Sequence, residues 1–343
     1  KKNSSLGWGF FYQLVNIGGF LGPPLAGYLH GWSWPVVFYG CAVMVSVNFI
    51  TLFMYDEVDS GGGVKGNPLE VLALTFKEFI NPKLVSFIVI MSGFWLMLNQ
   101  LWDMLPNFIE DWVDTGPVIA ALGLKVGALV HETTRGLQIK QEWLINLNAG
   151  LIIVFMIPVA AYVSRLRRLT SIICGILLAS FGLVVSGYTM SGWCVLLGIA
   201  LFSFGEMISS PKMNEYLAVI APEGKKALYL GYANVPLAIG WAYGSKMGGQ
   251  IYDTQGDKAV LALRYMKEHL GMAADVVDKI KRTDAMTQLQ TSLGKGAVEV
   301  TQILWDAYHP YQLWYVFTAI GVVSAIGMII YAQLAKGWAS HDA

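Results

Sequence analysis

Glu206 is the residue of this sequence with the clearest potential for chemistry. It lies near the middle of the apolar run at residues 193–219. An ionised carboxylate at such a depth in a membrane is costly unless it faces a wet cavity or a partner, so an intramembrane acid marks a candidate functional site. We expect Glu206 to bind a substrate or a proton. The alternative is a glutamate that is structurally paired or permanently protonated.

Other charged groups also lie within apolar runs. Asp103 and Lys246 are expected at similar depth on different helices, so a salt bridge between them is a candidate gate. The alternative for this pair is two side chains that snorkel to the membrane interface. Lys212 and Glu215 are three residues apart on one expected helix, and we expect them to neutralise each other.

A few uncharged polar groups accompany these charges and could furnish an otherwise apolar cavity. Pro211 and Pro236 interrupt two expected helices and would free backbone carbonyls beside such a cavity. The polar side chains are Asn99, Gln100, Asn148, Tyr232 and Asn234.

Composition places the chain in a membrane. Hydrophobic residues make up 55% of it and charged residues only 13%, whereas soluble domains carry roughly 25% charged residues. The 23 basic and 23 acidic residues cancel, so no global field favours nucleic acid. Three cysteines without CxxC spacing and no clustered histidines predict neither a disulfide framework nor a metal site, and we expect no cofactor.

Eight apolar runs are long enough to cross a bilayer as helices, which need about 17–25 residues each. A barrel strand would be about 10 residues long with polar alternation, which these runs lack. The predicted fold is therefore an all-α polytopic bundle. The runs are 7–29, 33–54, 84–106, 143–164, 170–189, 193–219, 227–251 and 311–335.

Three longer stretches separate these runs. Residues 56–83 contain the flexible Ser60-Gly-Gly-Gly63 link and then, from Pro68, apolar residues at helical spacing, which favour a helix on the membrane surface or an ordinary linker helix. Residues 252–310 mix leucines with charges and predict a small helical subdomain. The third stretch is 107–142.

Lys and Arg in short loops predict the orientation, because they collect on the cytoplasmic side. The turns near Gly31 and Ser191 carry neither residue, so they are expected outside together with 107–142 and 252–310. Both ends of the chain are therefore expected in the cytoplasm. The basic residues that mark this side are Lys1, Lys2, Lys65, Lys77, Lys83, Arg165, Arg167, Arg168, Lys225, Lys226 and Lys336.

An Ile-Gly-x3-Gly-x4-Gly pattern occurs twice, with an offset of 222 residues between its copies. It is either a pair of unrelated packing stripes or the trace of a parallel duplication of six-helix halves, as in major facilitators. The duplication implies that four helices precede Lys1, so we expect an N-terminally truncated chain. The copies are Ile17, Gly18, Gly22, Gly27 and Ile239, Gly240, Gly244, Gly249.

Several short motifs resemble the proton-coupled oligopeptide transporter family of the major facilitators, and together they extend over roughly residues 8–250. Each matching motif falls on the expected helix, numbered five to twelve in that scheme. The motifs are Phe11-Tyr12-x3-Asn16-x-Gly18, Phe94-Trp95-x4-Gln100, Asn148 with Pro158, Gly205-Glu206-x3-Ser210-Pro211, and Ala221-Pro222.

This resemblance implies a major-facilitator fold and a cavity in which Glu206 contacts the positively charged end of a peptide. We expect Glu206 to face the cavity between the two halves, near helices seven and eleven, and not the lipid. It implies three domains: residues 1–55 end the N-terminal bundle, 56–83 form a cytoplasmic linker with an amphipathic helix, and 84–343 form the C-terminal six-helix bundle with its insertion at 252–310. The expected substrate-binding or coupling residues are Glu206, Tyr12, Asn16, Trp95, Gln100, Asn148, Ser210 and Asn234.

The expected function is secondary active transport of a small polar solute by alternating access, coupled to protons, with di- and tripeptides as one substrate class. Alternatives are a symporter for an amino acid, sugar or organic anion, a non-transporting membrane sensor, and a membrane enzyme. The sequence shows no paired catalytic acids or Ser/His arrangement that would favour an enzyme. The partners expected are the solute, protons and the lipid bilayer, without nucleic acid, for a monomer in the cell inner or plasma membrane.

Overall fold

The long apolar runs form helices that pack side by side, and the polar stretches between them form shorter elements. The computed structural model of the protein describes residues 4–54 and 68–336. The elements in chain order are α1 Ser4–His30, α2 Trp34–Phe53, α3 Pro68–Phe79, α4 Pro82–Leu98, α5 Gln100–Asp103, α6 Leu105–Trp112, α7 Gly116–Leu122, β1 Val130–Thr133, β2 Gly136–Ile139, α8 Gln141–Val163, α9 Arg168–Gly187, α10 Gly192–Ile220, α11 Lys226–Gly231, α12 Asn234–Ile251, α13 Lys258–Glu268, α14 Ala274–Val277, α15 Ala285–Leu293, α16 Ala297–Tyr308 and α17 Leu313–Lys336.

Helix forms at all eight predicted spans, which confirms the all-α fold class. Within the described residues, six helical segments are long and apolar enough to cross a membrane. The remaining two predicted spans correspond to α1 and to α11–α12, where glycines, prolines and amides dilute the apolar residues. As membrane spans, these two stay predictions.

Two predicted spans are interrupted. Asn99 separates α4 from the short α5, and Tyr232 with Ala233 separates α11 from α12. Pro236 lies in the first turn of α12, where a helix tolerates a residue without a backbone N–H. The expected break at Pro211 is wrong, because α10 continues through it.

The stretch 107–142 contains a β-hairpin that the sequence analysis did not predict. The strands β1 and β2 pair antiparallel, with Val130 opposite Ile139. Gly136 adopts a positive φ of 102° at the turn, and the Thr133 hydroxyl donates to the Gly136 carbonyl at 2.8 Å. Because each strand has four residues, the hairpin is too short to give a readable alternation in sequence.

The stretch 252–310 is helical, as expected, and contains α13 to α16 after a π-helical turn at Tyr252–Gly256. We call residues 105–139 together with 252–312 the cap. The opposite side of the bundle is called the linker side. There Glu78 of α3 forms an ion pair with Lys225, and their charged atoms lie 2.5 Å apart. The Ser60–Gly63 link lies outside the described residues.

Helices α9 and α10 approach so closely that glycine is required at the contact. A Cβ atom on Gly182 would lie 2.7 Å from the Gly198 carbonyl oxygen, and one on Gly205 would lie 2.4 Å from the backbone nitrogen of Ala179. Real Cβ atoms essentially never come this close to backbone. These small residues therefore fix both the separation and the rotation of the two helices.

The glycine stripe of α12 packs against α4 and α5. A Cβ atom on Gly240 would lie 2.7 Å from the backbone nitrogen of Leu96, and Gly244 and Gly248 also face this neighbour. Gly249, the third glycine of the pattern, does not pack here, because a Cβ atom on it would meet nothing within 4 Å among the described residues. Gly248 takes this place, since positions four apart share one helix face.

The matching stripe of α1 has no such neighbour. A Cβ atom on Gly18 or Gly22 would meet nothing within 4 Å among the described residues. Helix α1 instead packs on α8, where Gly9 approaches Ala160 and the Gln13 side chain donates to the Ile153 carbonyl at 2.6 Å. The internal duplication therefore stays a prediction.

Gly205→Ala should destabilise the protein by about 1–3 kcal/mol, because the added methyl group meets the backbone of α9 and forces the helices apart. Gly249→Ala is the matched control, since its methyl group enters open space and should leave stability unchanged or slightly improved. Thermal unfolding in detergent measures both. Equal stabilities of the two variants would contradict the close packing of α9 and α10.

Candidate functional site

Glu206 is buried between three helices. Its side chain extends from α10, and the residue is only 3% exposed. The Tyr12 hydroxyl of α1 donates a hydrogen bond to Oε1, and the Asn148 amide of α8 donates to Oε2 at 2.9 Å. The carboxylate is therefore held by two donors from two different helices, and no basic side chain pairs with it among the described residues.

The packing of α9 and α10 determines where Glu206 points. Gly205 faces α9, and the next residue of a helix lies about 100° further round the axis. Glu206 is thereby directed away from α9 and towards α1 and α8. The predicted position of Glu206 near helices seven and eleven, that is α4 and α12, is wrong, because its hydrogen-bond partners lie on α1 and α8.

Two further predicted residues, Asn16 and Ser210, also lie at this site. The Asn16 amide donates to the Tyr12 carbonyl at 2.9 Å, and the Ser210 hydroxyl lies beside the Tyr12 phenol. The Asn148 amide also donates to the Ser203 hydroxyl at 3.0 Å. Ser203 was not predicted, although it lies three residues before Glu206 and therefore on the same helix face.

The structure does not bring the other predicted residues to Glu206. Trp95 and Gln100 pack against the glycine stripe of α12, where the Gln100 amide donates to the Leu96 carbonyl at 2.9 Å. Asn234 is exposed at the start of α12 and donates to the Gly231 carbonyl at 3.3 Å. These three residues lie apart from the Glu206 carboxylate, and the roles assigned to them stay predictions.

A cavity of about 340 Å³ adjoins the Glu206 cluster and extends towards the cap. Its walls come from α1, α8 and the α5–α6 segment and are mostly apolar. Asn16 and Asn148 form its floor, and Glu206 lies behind them. The lining residues are Val15, Asn16, Gly19, Pro23, Trp102, Pro106, Gln141, Glu142, Ile145, Asn146, Asn148 and Ala149.

The cavity contains polar residues that the sequence analysis missed. Asn146 is buried and donates to the Phe20 carbonyl at 3.1 Å. Glu142 lies one turn before Asn146 in the first turn of α8. Their spacing of four residues places both on one helix face, and this spacing could have indicated from sequence that they line the same cavity.

The candidate gate is not formed in this conformation. The Asp103 carboxylate accepts a hydrogen bond from Ser245 at 2.7 Å, and no ion pair within the described ranges joins Asp103 to Lys246. Ser245 directly precedes Lys246 on α12, so the two helices are already adjacent. A gate between Asp103 and Lys246 stays a prediction for another conformation.

The expected pairing of Lys212 with Glu215 is confirmed. Their charged atoms lie 2.9 Å apart, and Arg168 of α9 approaches the other carboxylate oxygen at 3.0 Å. Both partners of the first pair are almost fully buried. This cluster ties α10 to α9 near the linker side, which favours a structural role.

In the cap, Asp111 joins α6 to the segment that follows α12. Its carboxylate accepts hydrogen bonds from the Tyr252 hydroxyl at 2.5 Å and the Lys258 backbone at 3.4 Å. The Trp112 indole donates to the Gly256 carbonyl at 2.7 Å, and the Lys258 ammonium lies 5.2 Å from the centre of the Trp112 ring. These contacts attach α13 to α6.

Lys258 is a buried amine inside this contact, with only 6% of the residue exposed. Burial, assisted by the nearby positive charge of Arg135, lowers the pKa of Lys258 to about 7. Arg135 extends from the hairpin and donates to the backbone carbonyls of Val113, at 3.0 Å, and Glu110. The hairpin, α6 and α13 therefore form one connected cap.

Comparison with known proteins identifies the class. The model of the Major Facilitator Superfamily matches residues 1–245, which is more than half of the chain. The chain therefore belongs to the Major Facilitator Superfamily. This membership agrees with the apolar helix bundle and with the buried carboxylate between α1, α8 and α10.

The chain is also similar to bacterial proteins named multidrug resistance protein MdtH. The one from Edwardsiella ictaluri is 23% identical over 172 residues, which cover 50% of this chain and 37% of that protein. The one from Proteus mirabilis is 22% identical over 178 residues, which cover 52% and 39%. The match thus spans less than two-fifths of either relative, and neither supports the resemblance to oligopeptide transporters.

Asn148→Leu should cost about 1–3 kcal/mol of stability, because the buried Glu206 carboxylate then loses a donor. The double variant Asn148→Leu/Glu206→Leu should recover part of this loss, since no carboxylate remains to be satisfied. Unfolding free energies of both single variants and the double variant give the coupling. Combination of Asn148→Leu with the exposed Glu223→Gln should be additive. Additivity of the Asn148 and Glu206 variants would contradict the interaction.

The cap should become more stable as the pH rises from about 7 to 9. In this window the unfolded cap keeps the Lys258 proton, whereas the folded cap, with its pKa of about 7, has lost it. Stability then rises by at most about 1.4 kcal/mol per pH unit. Lys258→Met should remove this slope, and Lys295→Met, an exposed control, should keep it. Hydrogen exchange of α13 amides, corrected for intrinsic rates, measures the stability of the cap at each pH. The same pH dependence of stability in all three proteins would contradict the prediction.

Proposed function

We propose that the protein containing this chain is a secondary active transporter that moves a small organic solute by alternating access and is coupled to protons through Glu206. The observation that carries this proposal is a buried carboxylate whose two hydrogen-bond donors come from α1 and α8. In the predicted domain division, α1 belongs to the first bundle and α8 to the second. Protonation of Glu206 would therefore act on a contact between two bundles.

The number of donors explains how a proton alters this contact. An ionised Glu206 accepts hydrogen bonds from both Tyr12 and Asn148 and so holds α1 against α8 and α10. A protonated Glu206 has an O–H of its own and gives up acceptor capacity on that oxygen. The Glu206 O–H can donate to the Tyr12 oxygen, so the Tyr12 hydroxyl hydrogen turns to another acceptor or to the solute, and the bonding between the bundles changes.

The neighbouring cavity suggests the kind of solute. Its walls are mostly apolar, and its floor presents the amides of Asn16 and Asn148. Such a site fits an organic molecule with an apolar body and a few hydrogen-bonding groups. The name of the similar MdtH proteins, multidrug resistance protein, agrees with such a solute. Di- and tripeptides remain the alternative suggested by the resemblance to oligopeptide transporters.

The proposal includes an orientation. The cap faces outwards, and the linker side faces the cytoplasm, because the short basic loops lie on the linker side. The cytoplasmic side then includes α3, the turn at Arg165–Arg168 and both chain ends. Residues 84–343 are the second bundle with its insertion at 252–310, and the protein acts as a monomer. A non-transporting sensor remains the alternative.

Glu206→Gln should abolish pH-driven solute accumulation, because the amide keeps the size and polarity of the side chain but cannot titrate. The protein expressed from its complete gene is reconstituted in liposomes, and uptake of organic dyes and dipeptides is measured with and without an imposed pH gradient. Glu223→Gln, an exposed control on the linker side, should transport normally.

The Gln variant should fold as well as the wild type, because a neutral amide is cheaper to bury than a carboxylate. Unchanged pH-driven uptake by a folded Glu206→Gln protein would refute proton coupling through this residue. If the wild type moves no solute under any gradient, transport itself is refuted and the sensor alternative is favoured.

A further inference from the structure

We propose that Glu142, at the cap end of the cavity between α1, α6 and α8, is the residue that recognises the basic group of an amphipathic organic cation. Glu206 then handles the proton without touching the solute. This inference rests on the proposed function, because it names the class of solute that this cavity takes. It assigns recognition and proton binding to two different carboxylates.

Glu206 is screened from the cavity by its own partners. Both carboxylate oxygens are engaged, one by Tyr12 and one by Asn148, and the residue is 3% exposed. The cavity surface nearest to it consists of Asn16 and Asn148. A solute in this cavity meets amides first, so a cationic group would have to displace Tyr12 or Asn148 to reach Glu206.

Among the described residues that line this cavity, Glu142 is the one with a carboxylate. It also lines an adjoining space of about 490 Å³, so the two spaces meet at Glu142, Asn146 and Pro23. Its side chain is exposed, and within the described part of the chain no ion pair involves it. The carboxylate is therefore available to a ligand at the mouth of the cavity.

The length of the cavity sets the shape of the solute. Glu142 precedes Asn148 by six residues on α8, which is about 9 Å along the helix axis. Between them α8 contributes apolar Ile145 and the amide of Asn146, which is already bonded to the Phe20 carbonyl, and α5 contributes apolar Trp102. A fitting solute therefore has an apolar body, a basic nitrogen at the end near Glu142 and a hydrogen-bonding group at the floor.

Lys140 provides an opposite effect at almost the same place. It lines the adjoining space but not the cavity itself, and it is two residues from Glu142. A cation that approaches Glu142 therefore passes a positive charge, which should weaken its binding. Removal of Glu142 and removal of Lys140 should change the affinity for a cation in opposite directions, whereas general damage to the site would weaken binding in both variants.

The test uses two fluorescent probes that differ only in charge: 5-(dansylamino)pentylamine, whose end is an ammonium group, and 5-(dansylamino)pentanol, whose end is a neutral hydroxyl. Dissociation constants come from dansyl anisotropy with the complete protein in nanodiscs. Glu142→Gln should weaken binding of the amine about two- to fivefold, the range of a solvent-exposed ion pair, and leave the alcohol unchanged. Lys140→Gln should strengthen amine binding.

Glu132→Gln is the matched control. It removes an exposed carboxylate from the same side of the protein, on β1, outside both spaces, and should change neither probe. The proposal is overturned if the wild type does not bind the amine, if Glu142→Gln weakens both probes equally, or if Glu132→Gln has the same effect as Glu142→Gln. Wild-type binding of the amine without proton movement would refute coupling through Glu206 but leave the role of Glu142 standing.

Discussion

The contact of Glu206 with Tyr12 and Asn148 is the interaction on which the arrangement of the other helices depends. A carboxylate removed from water is costly, and that cost is offset only when its oxygens find donors. Here the donors come from two helices that are far from Glu206 in sequence. The bundle is thereby constrained to one relative register of α1, α8 and α10, because a shift of one turn in any of them would leave a buried polar group without its partner.

A second polar cluster in the bundle interior is of a different kind. Lys212 and Arg168 both pair with the Glu215 carboxylate near the linker side, so these charges find opposite partners within two adjacent helices. Glu206 has polar but uncharged partners. The charge cluster fixes two helices against each other, whereas the proposed proton coupling relies on the carboxylate with uncharged partners.

Much of the fold could be predicted from sequence, because bilayer thickness gives a length scale that the apolar runs must match. Glu206 and Asn148 could be singled out because a polar group inside such a run needs a reason, and Tyr12 could be singled out through its motif resemblance. Their mutual contact could not be derived, since it depends on helix rotation. That rotation is set by Gly205 against Ala179, a close approach visible only in three dimensions.

The errors have similar physical causes. The choice of Gly249 over Gly248 follows from matching a pattern to α1, whereas packing selects glycines that are four apart. Trp95 and Gln100 were grouped with Glu206 through the resemblance of their motif to oligopeptide transporters, yet their helix turns them towards α12. Glu142 was overlooked because an acid in the first turn of a helix is common for local electrostatic reasons.

The glycine contacts between α9 and α10 also bear on the order of folding. These helices are joined by a short turn at Tyr188–Ser191, and Gly182 meets Gly198 only sixteen positions later in the chain. Contacts so local need little loop closure, so the pair can associate as soon as both helices are in the bilayer. We expect this helical hairpin to be the earliest template on which the remaining helices assemble, so the polar cluster around Glu206 would form on a surface that is already rigid.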